Sequence, residues 1–249
     1  MAETIQQDGA AGEVRLNKYI SASGLCSRRE ADQLIIAGRV QVDGAAATLG
    51  TRVRRGQNVT VDGRSIEKEP ELILLAANKP RGVVCTTDQR WGDTTIYDIL
   101  KYPKRVFSVG RLDKDSEGLL LLTNDGDLMD RIMRARNYHE KEYVVTVNRK
   151  VTQEFLRRMQ DGIYLEELDV TTRRCRAWQT GEREFHLVLT QGLNRQIRRM
   201  CAACGYRVEQ LVRVRIMNVL LGDLAPGEYR SVEGAEYQKL TALLANSQK

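Results

Sequence analysis

Two kinds of hydrophobic pattern meet near Pro70, and a chain that carries both is best accommodated as a small module beside a larger domain. Before Pro70 the apolar residues recur in short stretches. Val14 to Ile20 reads as a helix with Leu16, Tyr19 and Ile20 on one face, ended by Gly24. Ser27 followed by Glu30 predicts a capping box, in which each side chain satisfies the other residue's orphan backbone amide. Ala31, Leu34 and Ile35 continue that second helix to Gly38, placed where a C-terminal glycine belongs. Val40 with Val42 and Val59 with Val61 alternate as short strands, closed by the turns Asp43-Gly44 and Asp62-Gly63. The expectation is a flexible tail over 1–13, a compact module over 14–68 with Glu67-Lys68-Glu69-Pro70 leaving it, and a second domain over 72–249.

Beyond Pro70 the strands lengthen. Leu72 to Ala77, Val106 to Val109 and Leu119 to Leu122 read as buried strands, and Glu142 to Val147 as a half-buried one. Val170 to Trp178 and Glu184 to Thr190 suggest a hairpin across Thr180-Gly181. Helices are expected at Asp127 to Arg134, Thr152 to Gln160, Asn194 to Ala203 and Ala235 to Ala245. Strands outnumber helices without alternating regularly with them, which implies an α+β fold with a large, mostly antiparallel sheet.

Composition narrows the class. An apolar fraction of 42% with 29% charged residues describes a soluble chain with a sizeable core, and no apolar run reaches membrane-spanning length. The N-terminus lacks a signal-peptide profile, so a cytoplasmic location is expected. Cys26, Cys85, Cys175, Cys201 and Cys204 form an odd, scattered set that reads as reduced thiols, and no metal site is expected because Cys201-Ala202-Ala203-Cys204 lacks a second ligand pair. The net charge of +6 is unevenly placed: residues 190–217 hold six arginines against the single Glu209, a balance of +5, whereas residues 1–70 hold ten bases against nine acids. Such concentration is characteristic of a polyanion-binding surface.

Two segments could carry chemistry. On a helix from Asn194, the side chains of Arg195, Arg198 and Arg199 share one face while Ile197, Met200, Cys201 and Cys204 share the other. The arginines are either a solvated face or a site for phosphate or for a buried carboxylate. The loop Gly110-Arg111-Leu112-Asp113-Lys114-Asp115-Ser116-Glu117-Gly118 is either a charged surface turn or the seat of a nucleophile or general base. Tyr143 on a half-buried strand is more often a core tyrosine than a stacking platform, and His139 and His186 carry no catalytic spacing.

Taken in order, Asn78-Lys79-Pro80-Arg81-Gly82, the run from Val109 to Gly126 around Gly110-Arg111-Leu112-Asp113, Lys141-Glu142-Tyr143, and Gly192 to Met200 resemble the RsuA-like family of rRNA pseudouridine synthases. Arg15-Leu16-Asn17-Lys18-Tyr19 and Ser27-Arg28-Arg29-Glu30-Ala31 resemble the αL-type RNA-binding domain named after a small-subunit ribosomal protein. Asn137 to Tyr143 and Arg215 to Val219 are most similar to the branch of large-subunit rRNA pseudouridine synthase F.

The resemblance implies isomerisation of uridine to pseudouridine without cofactor or metal, in structured large-subunit ribosomal RNA with a locally unpaired uridine, with small-subunit rRNA or tRNA as the alternative, by a monomer that needs no membrane. It makes Asp113 the catalytic nucleophile, Tyr143 the active-site tyrosine and Arg198 the arginine that pairs with the carboxylate. Burial opposes ionisation of a carboxylate, so a bidentate guanidinium beside Asp113 is the expected remedy. Lys79, Arg81, Arg111, Arg195 and Arg199 are then expected to contact phosphate or the pocket, with Arg15, Lys18, Arg28 and Arg29 forming a docking surface. Two rivals stand beside this: a non-catalytic RNA-binding protein of the same fold, and a hydrolase or nuclease with Asp113, Asp115 and Glu117 as metal ligands.

Overall fold

In a computed structural model, the structure describes residues 12–67, 71–87, 92–134, 136 and 138–246. Most of the expected tail (1–11), three residues of the expected linker (68–70) and Asn137 lie outside the described residues. The chain divides into two compact units, Met1–Leu72 and Ile73–Lys249.

In the first unit, β1 (Val14–Arg15) precedes α1 (Leu16–Ala22) and α2 (Arg28–Ile36), followed by β2 (Val40–Val42), β3 (Ala45–Ala46), β4 (Arg52–Val53), β5 (Val59–Val61) and β6 (Arg64–Ile66). The α2 capping box forms as its sequence dictates: the Glu30 carboxylate accepts from Ser27 N at 2.7 Å and the Ser27 hydroxyl accepts from Glu30 N at 3.2 Å. The first helix starts two residues later than its apolar pattern suggests, because Val14 and Arg15 pair with Val53 and Arg52 as a strand. A four-stranded sheet in the order β3-β2-β5-β6 accompanies the helices, and Leu16, Ile20, Ala31, Ile35, Val40 and Val59 pack together between them.

The second unit runs β7 (Leu74–Lys79), α3 (Ile96–Leu100), β8 (Phe107–Ser108), β9 (Glu117–Thr123), α4 (Gly126–Met133), β10 (Lys141–Val147), α5 (Gln153–Asp161), β11 (Tyr164–Leu165), β12 (Val170–Thr171), β13 (Arg176–Gly181), β14 (Glu184–Leu189), α6 (Gln196–Ala203), β15 (Val208–Ile216), β16 (Val219–Leu220), β17 (Tyr229–Ser231) and α7 (Gly234–Asn246). Its main sheet has the order β13-β14-β10-β15-β9-β7-β17, with β8 on β9 and β16 on β15. The pairing is antiparallel except for the short contact of β15 with β9.

The unbroken run Leu119 to Leu122 has a direct cause. Leu120 and Leu122 enter one core with α3, α5 and α6, while Leu119 and Leu121 enter a second core with α4 and α7, so this strand is covered on both faces. Two expectations need correction. Val170 to Trp178 is two strands, because Val170–Thr171 pairs with β11 and Ile163 N donates to the Thr172 hydroxyl at 2.9 Å before the chain turns toward β13. The β13–β14 hairpin turns over Glu182 and Arg183, one step beyond Thr180-Gly181, with a bulge between Gln179 and Gly181. Among the described residues no helix is long and apolar enough to cross a membrane.

Candidate active site

The loop entering β9 is anchored by residue chemistry on both sides of Asp113. Leu112 is buried in the same core as Tyr143, and Ser116, only 1% exposed, closes a turn by donating its amide to Asp113 O at 3.0 Å. The next three carbonyls are held from outside the loop. Gly82 N donates to Lys114 O at 2.8 Å, Arg198 Nη2 to Asp115 O at 2.9 Å, and Lys79 Nζ to Ser116 O at 2.7 Å. Gly118 then lets β9 approach β15: a Cβ at this position would lie 2.4 Å from Arg213 O, and its φ of +97° favours glycine. A loop held at this many points can aim a carboxylate without reorganising.

Asp113 faces a cavity of about 720 Å³ whose walls include Leu112, Tyr143, Leu189, Ile197 and Leu211, with Arg111, Lys141, Arg195, Arg198 and Arg213 among its cations. Tyr143 satisfies both sequence interpretations, being only 9% exposed in the core and also a wall of the cavity. The guanidinium nearest Asp113 in an ion pair is that of Arg195, with Nη1 4.0 Å from Asp113 Oδ2 and 3.9 Å from Asp115 Oδ2. Asp113 itself is about a third exposed, at 32%, so its desolvation is milder than expected for a buried nucleophile.

The bidentate Arg198–Asp113 pair expected from the sequence is not the one formed. The helix begins at Gln196, and Arg195 ahead of it is left-handed (φ 49°, ψ 32°), which separates its side chain from the helical arginine face. Arg195 reaches the two carboxylates. Arg198 instead binds the backbone carbonyls of Asp115 and, at 3.4 Å, Val208, and its Nε is buried without a hydrogen-bond partner. Burial, followed by the charge of Arg195, holds the Arg198 guanidinium below its ordinary pKa, with Asp115 and Asp113 opposing. It stays charged.

Lys79 also departs from its expected role. It is 0% exposed, its ammonium bonds three carbonyls (Pro80, Ser116 and, at 3.5 Å, Lys114), and burial lowers its pKa. It braces the loop from inside and presents nothing to a phosphate. Arg111 stands exposed at the cavity rim, and Arg81 is exposed with Nη1 3.4 Å from Glu209 O. Arg199 turns away from the cavity to Asn194 and Glu167. Arg15, Arg28 and Arg29 are exposed on the first unit and Lys18 is half-buried there.

Asp113 and Asp115 share a guanidinium, Glu117 accepts from Gln210 Nε2 at 3.3 Å, and among the described residues no three His, Cys, Asp or Glu side chains converge as metal ligands. Cys201 is fully buried and Cys204 half-buried, and burial raises both thiols. His139 lines the cavity with Nδ1 3.0 Å from Ile132 O, and His186 pairs with Glu142 at 2.9 Å on the other face of β10. Charged cavity residues that the sequence did not single out include Lys141, a neighbour of Tyr143 in its motif, Arg134, and Arg213, one of two alternating arginines on β15.

Comparison with known proteins places this geometry. The family profile for RNA pseudouridylate synthases matches residues 73–203, and that for the S4 domain matches residues 14–59. The chain is 49% identical over 236 residues, 94% of its length and 80% of the relative's, to the dual-specificity RNA pseudouridine synthase RluF of Escherichia coli strain K12. It is 38% identical over 243 residues, covering 94% and 95% of the two chains, to an uncharacterised RNA pseudouridine synthase of Mycobacterium leprae. A crystal structure of a pseudouridylate synthase superposes with a TM-score of 0.68 at 30% identity, covering 91% of this chain and 99% of that one. The chain therefore belongs to the RNA pseudouridine synthase family, as an S4 domain followed by a pseudouridine synthase domain of the RsuA type.

Proposed function

We propose that the protein converts specific uridines of large-subunit ribosomal RNA to pseudouridine, with Asp113 as the nucleophile. The observation that carries this is the placement of Asp113: a carboxylate on a loop braced by Lys79, Gly82 and Arg198, facing a cavity walled by Tyr143 and lined with guanidiniums. About 720 Å³ lies within the range of roughly 300–1,000 Å³ that holds a small ligand, and suits one nucleotide turned out of its stack. Tyr143 offers a ring face to the detached uracil, and Arg195 balances the carboxylate charge before the ribose arrives. Arg111 and Arg81, both exposed, are assigned to backbone phosphates, and Arg15, Arg28 and Arg29 to docking of a structured RNA by the S4 unit.

The Escherichia coli relative is named for dual specificity. This favours a second RNA substrate for this chain, and tRNA is the class we assign to it. The protein is expected to act as a monomer in the cytoplasm. Incubation of purified protein with separate large-subunit rRNA, small-subunit rRNA and tRNA transcripts, followed by carbodiimide mapping, tests the substrate assignment. New pseudouridine in the large-subunit transcript is expected, and conversion confined to the small-subunit transcript would contradict it.

A further inference from the structure

In a regular strand residues two apart share a face, so Arg213 and Arg215 of β15 would be expected to point the same way. They do not. The register with β10 slips between Glu142 and Tyr143: Arg215 stands opposite Glu142, while Arg213 stands opposite Tyr143 and Val214 is skipped. Arg215 ion-pairs with Glu142 at 2.9 Å and Glu140 at 3.0 Å, satisfying its charge on that face. The bulge sends Arg213 to the other face, into the cavity with Tyr143.

There Arg213 is 3% exposed, donates Nε to Leu119 O at 2.7 Å, and keeps Nη2 buried without any hydrogen-bond partner. Lys141, two residues before Tyr143 and thus on its side of β10, is half-buried, lines the same cavity, and has no hydrogen bond or ion pair from its ammonium to another described residue. Two like charges meeting in a partly dry site, each with donors left over, oppose folding unless an electron-rich ligand completes them. Burial and the Arg213 charge bring the Lys141 ammonium down to a pKa of about 8, in keeping with that lack. Asp113 lines the same cavity, beside the reacting sugar in the reading above, so the ligand that completes these donors is the part of the substrate that the carboxylate does not face.

We propose that Lys141 and Arg213 bind the carbonyl oxygens of the detached uracil and stabilise the negative charge it carries during isomerisation. This rests on the reading of Asp113 as nucleophile. The C1′–N1 bond breaks with its electron pair on N1 while C1′ bonds to the Asp113 carboxylate, so the base leaves as an anion with charge spread over N1, O2 and O4. After the base turns, C5 gives an electron pair to C1′, the carboxylate is released, C5 loses its proton and N1 takes one up, which leaves an isomer of the starting nucleoside. Donors fixed where that charge develops accelerate departure of the base, and they need not tighten RNA binding.

Replacement of the target uridine by 5-fluorouridine separates this role from a structural one, because fluorine makes the departing base intrinsically more stable as an anion. Single-turnover conversion of a stem-loop RNA, read as loss of the N-linked target nucleoside after digestion, is compared for wild type, Lys141→Met, Lys141→Arg and Asp113→Asn, together with RNA affinity. Lys141→Met is expected to slow uridine conversion by about a hundredfold, the scale of one lost oxyanion donor, with Lys141→Arg recovering most of it and affinity nearly unchanged. The Lys141→Met loss should shrink at least severalfold on 5-fluorouridine. Equal losses on the two substrates, an undiminished rate, or a loss confined to affinity, as a phosphate contact would give, each overturns the proposal. Turnover by Asp113→Asn would instead overturn the nucleophile assignment on which it rests.

Discussion

Arg195 Nη1 lies 4.0 Å from Asp113 Oδ2, and the residue that supplies this guanidinium adopts a left-handed backbone at φ 49°. A non-glycine residue in that region costs on the order of 1 kcal/mol, and such outliers concentrate at functional sites. The arrangement trades local stability for a charge placed at the carboxylate.

Arg195→Gly therefore separates the two effects. Glycine accepts this backbone without strain, so stability should hold or rise by about 1 kcal/mol, equivalent to roughly 2–4 °C in Tm for a domain of this size. The rate of pseudouridine formation should fall at least tenfold with the carboxylate's partner gone. Calorimetry and single-turnover assays on the same preparation check both directions.

Lys79 braces the loop and is fully buried, its ammonium committed to carbonyls. Lys79→Met removes the donor from three carbonyls, two of them in the Asp113 loop, and should lower stability by about 2–4 kcal/mol. The salt dependence of RNA binding should keep its slope, since no phosphate contact is lost. A shallower slope from filter binding over a salt series would show that Lys79 reaches the backbone after all.

Gly118→Ala brings a methyl group within 2.4 Å of Arg213 O and 2.8 Å of Arg213 N, at a φ of +97°. The backbone atoms it meets cannot swing aside. A loss of about 3 kcal/mol or more in urea unfolding is expected, with activity falling alongside because Arg213 and the β9 end of the Asp113 loop both shift.

The Lys141 ammonium, lowered from 10.5 to about 8 by burial and then by Arg213, gives a stability signature with a definite sign. Below about pH 8 both folded and unfolded chains hold the proton, and the folded chain bears the full cost of the buried charge. Between about 8 and 10.5 the unfolded chain binds the proton and the folded chain does not, so wild-type stability gains with pH relative to a variant without the amine. Lys141→Met should be more stable than wild type at pH 7, by on the order of 1–2 kcal/mol given partial solvent screening, and the gap should close across that window. A gap that stays constant from pH 7 to 10 would show that the amine is not desolvated.

Much of this architecture is visible in residue patterns because the causes are local. Ser27 and Glu30 dictate their own cap, and the consecutive leucines from Leu119 dictate a strand covered on both faces. The Asp113 loop and Tyr143 stand out because their motifs are contiguous. What stayed hidden depends on departures from regular geometry. Counting by two along β15 puts Arg213 beside Arg215, and only the bulge at Val214 parts them. Counting by 3.6 from Asn194 puts Arg195 with Arg198, and only the left-handed residue parts those. The five-residue helix α3 is too short to show a period, although Thr95 and Asp98 form its capping box. Lys79 looked like a surface base because lysines usually are, and its burial follows from carbonyls contributed by a loop 35 to 37 residues away.

The most direct measurement is conversion of uridine by Asp113→Asn, a change that keeps the side chain's shape and removes its charge. With purified full-length protein and a large-subunit rRNA transcript, carbodiimide mapping should show pseudouridine with wild type and none with the variant, while RNA affinity stays within about twofold. Pseudouridine formed by the variant at the wild-type rate would contradict the assignment of Asp113 as the nucleophile.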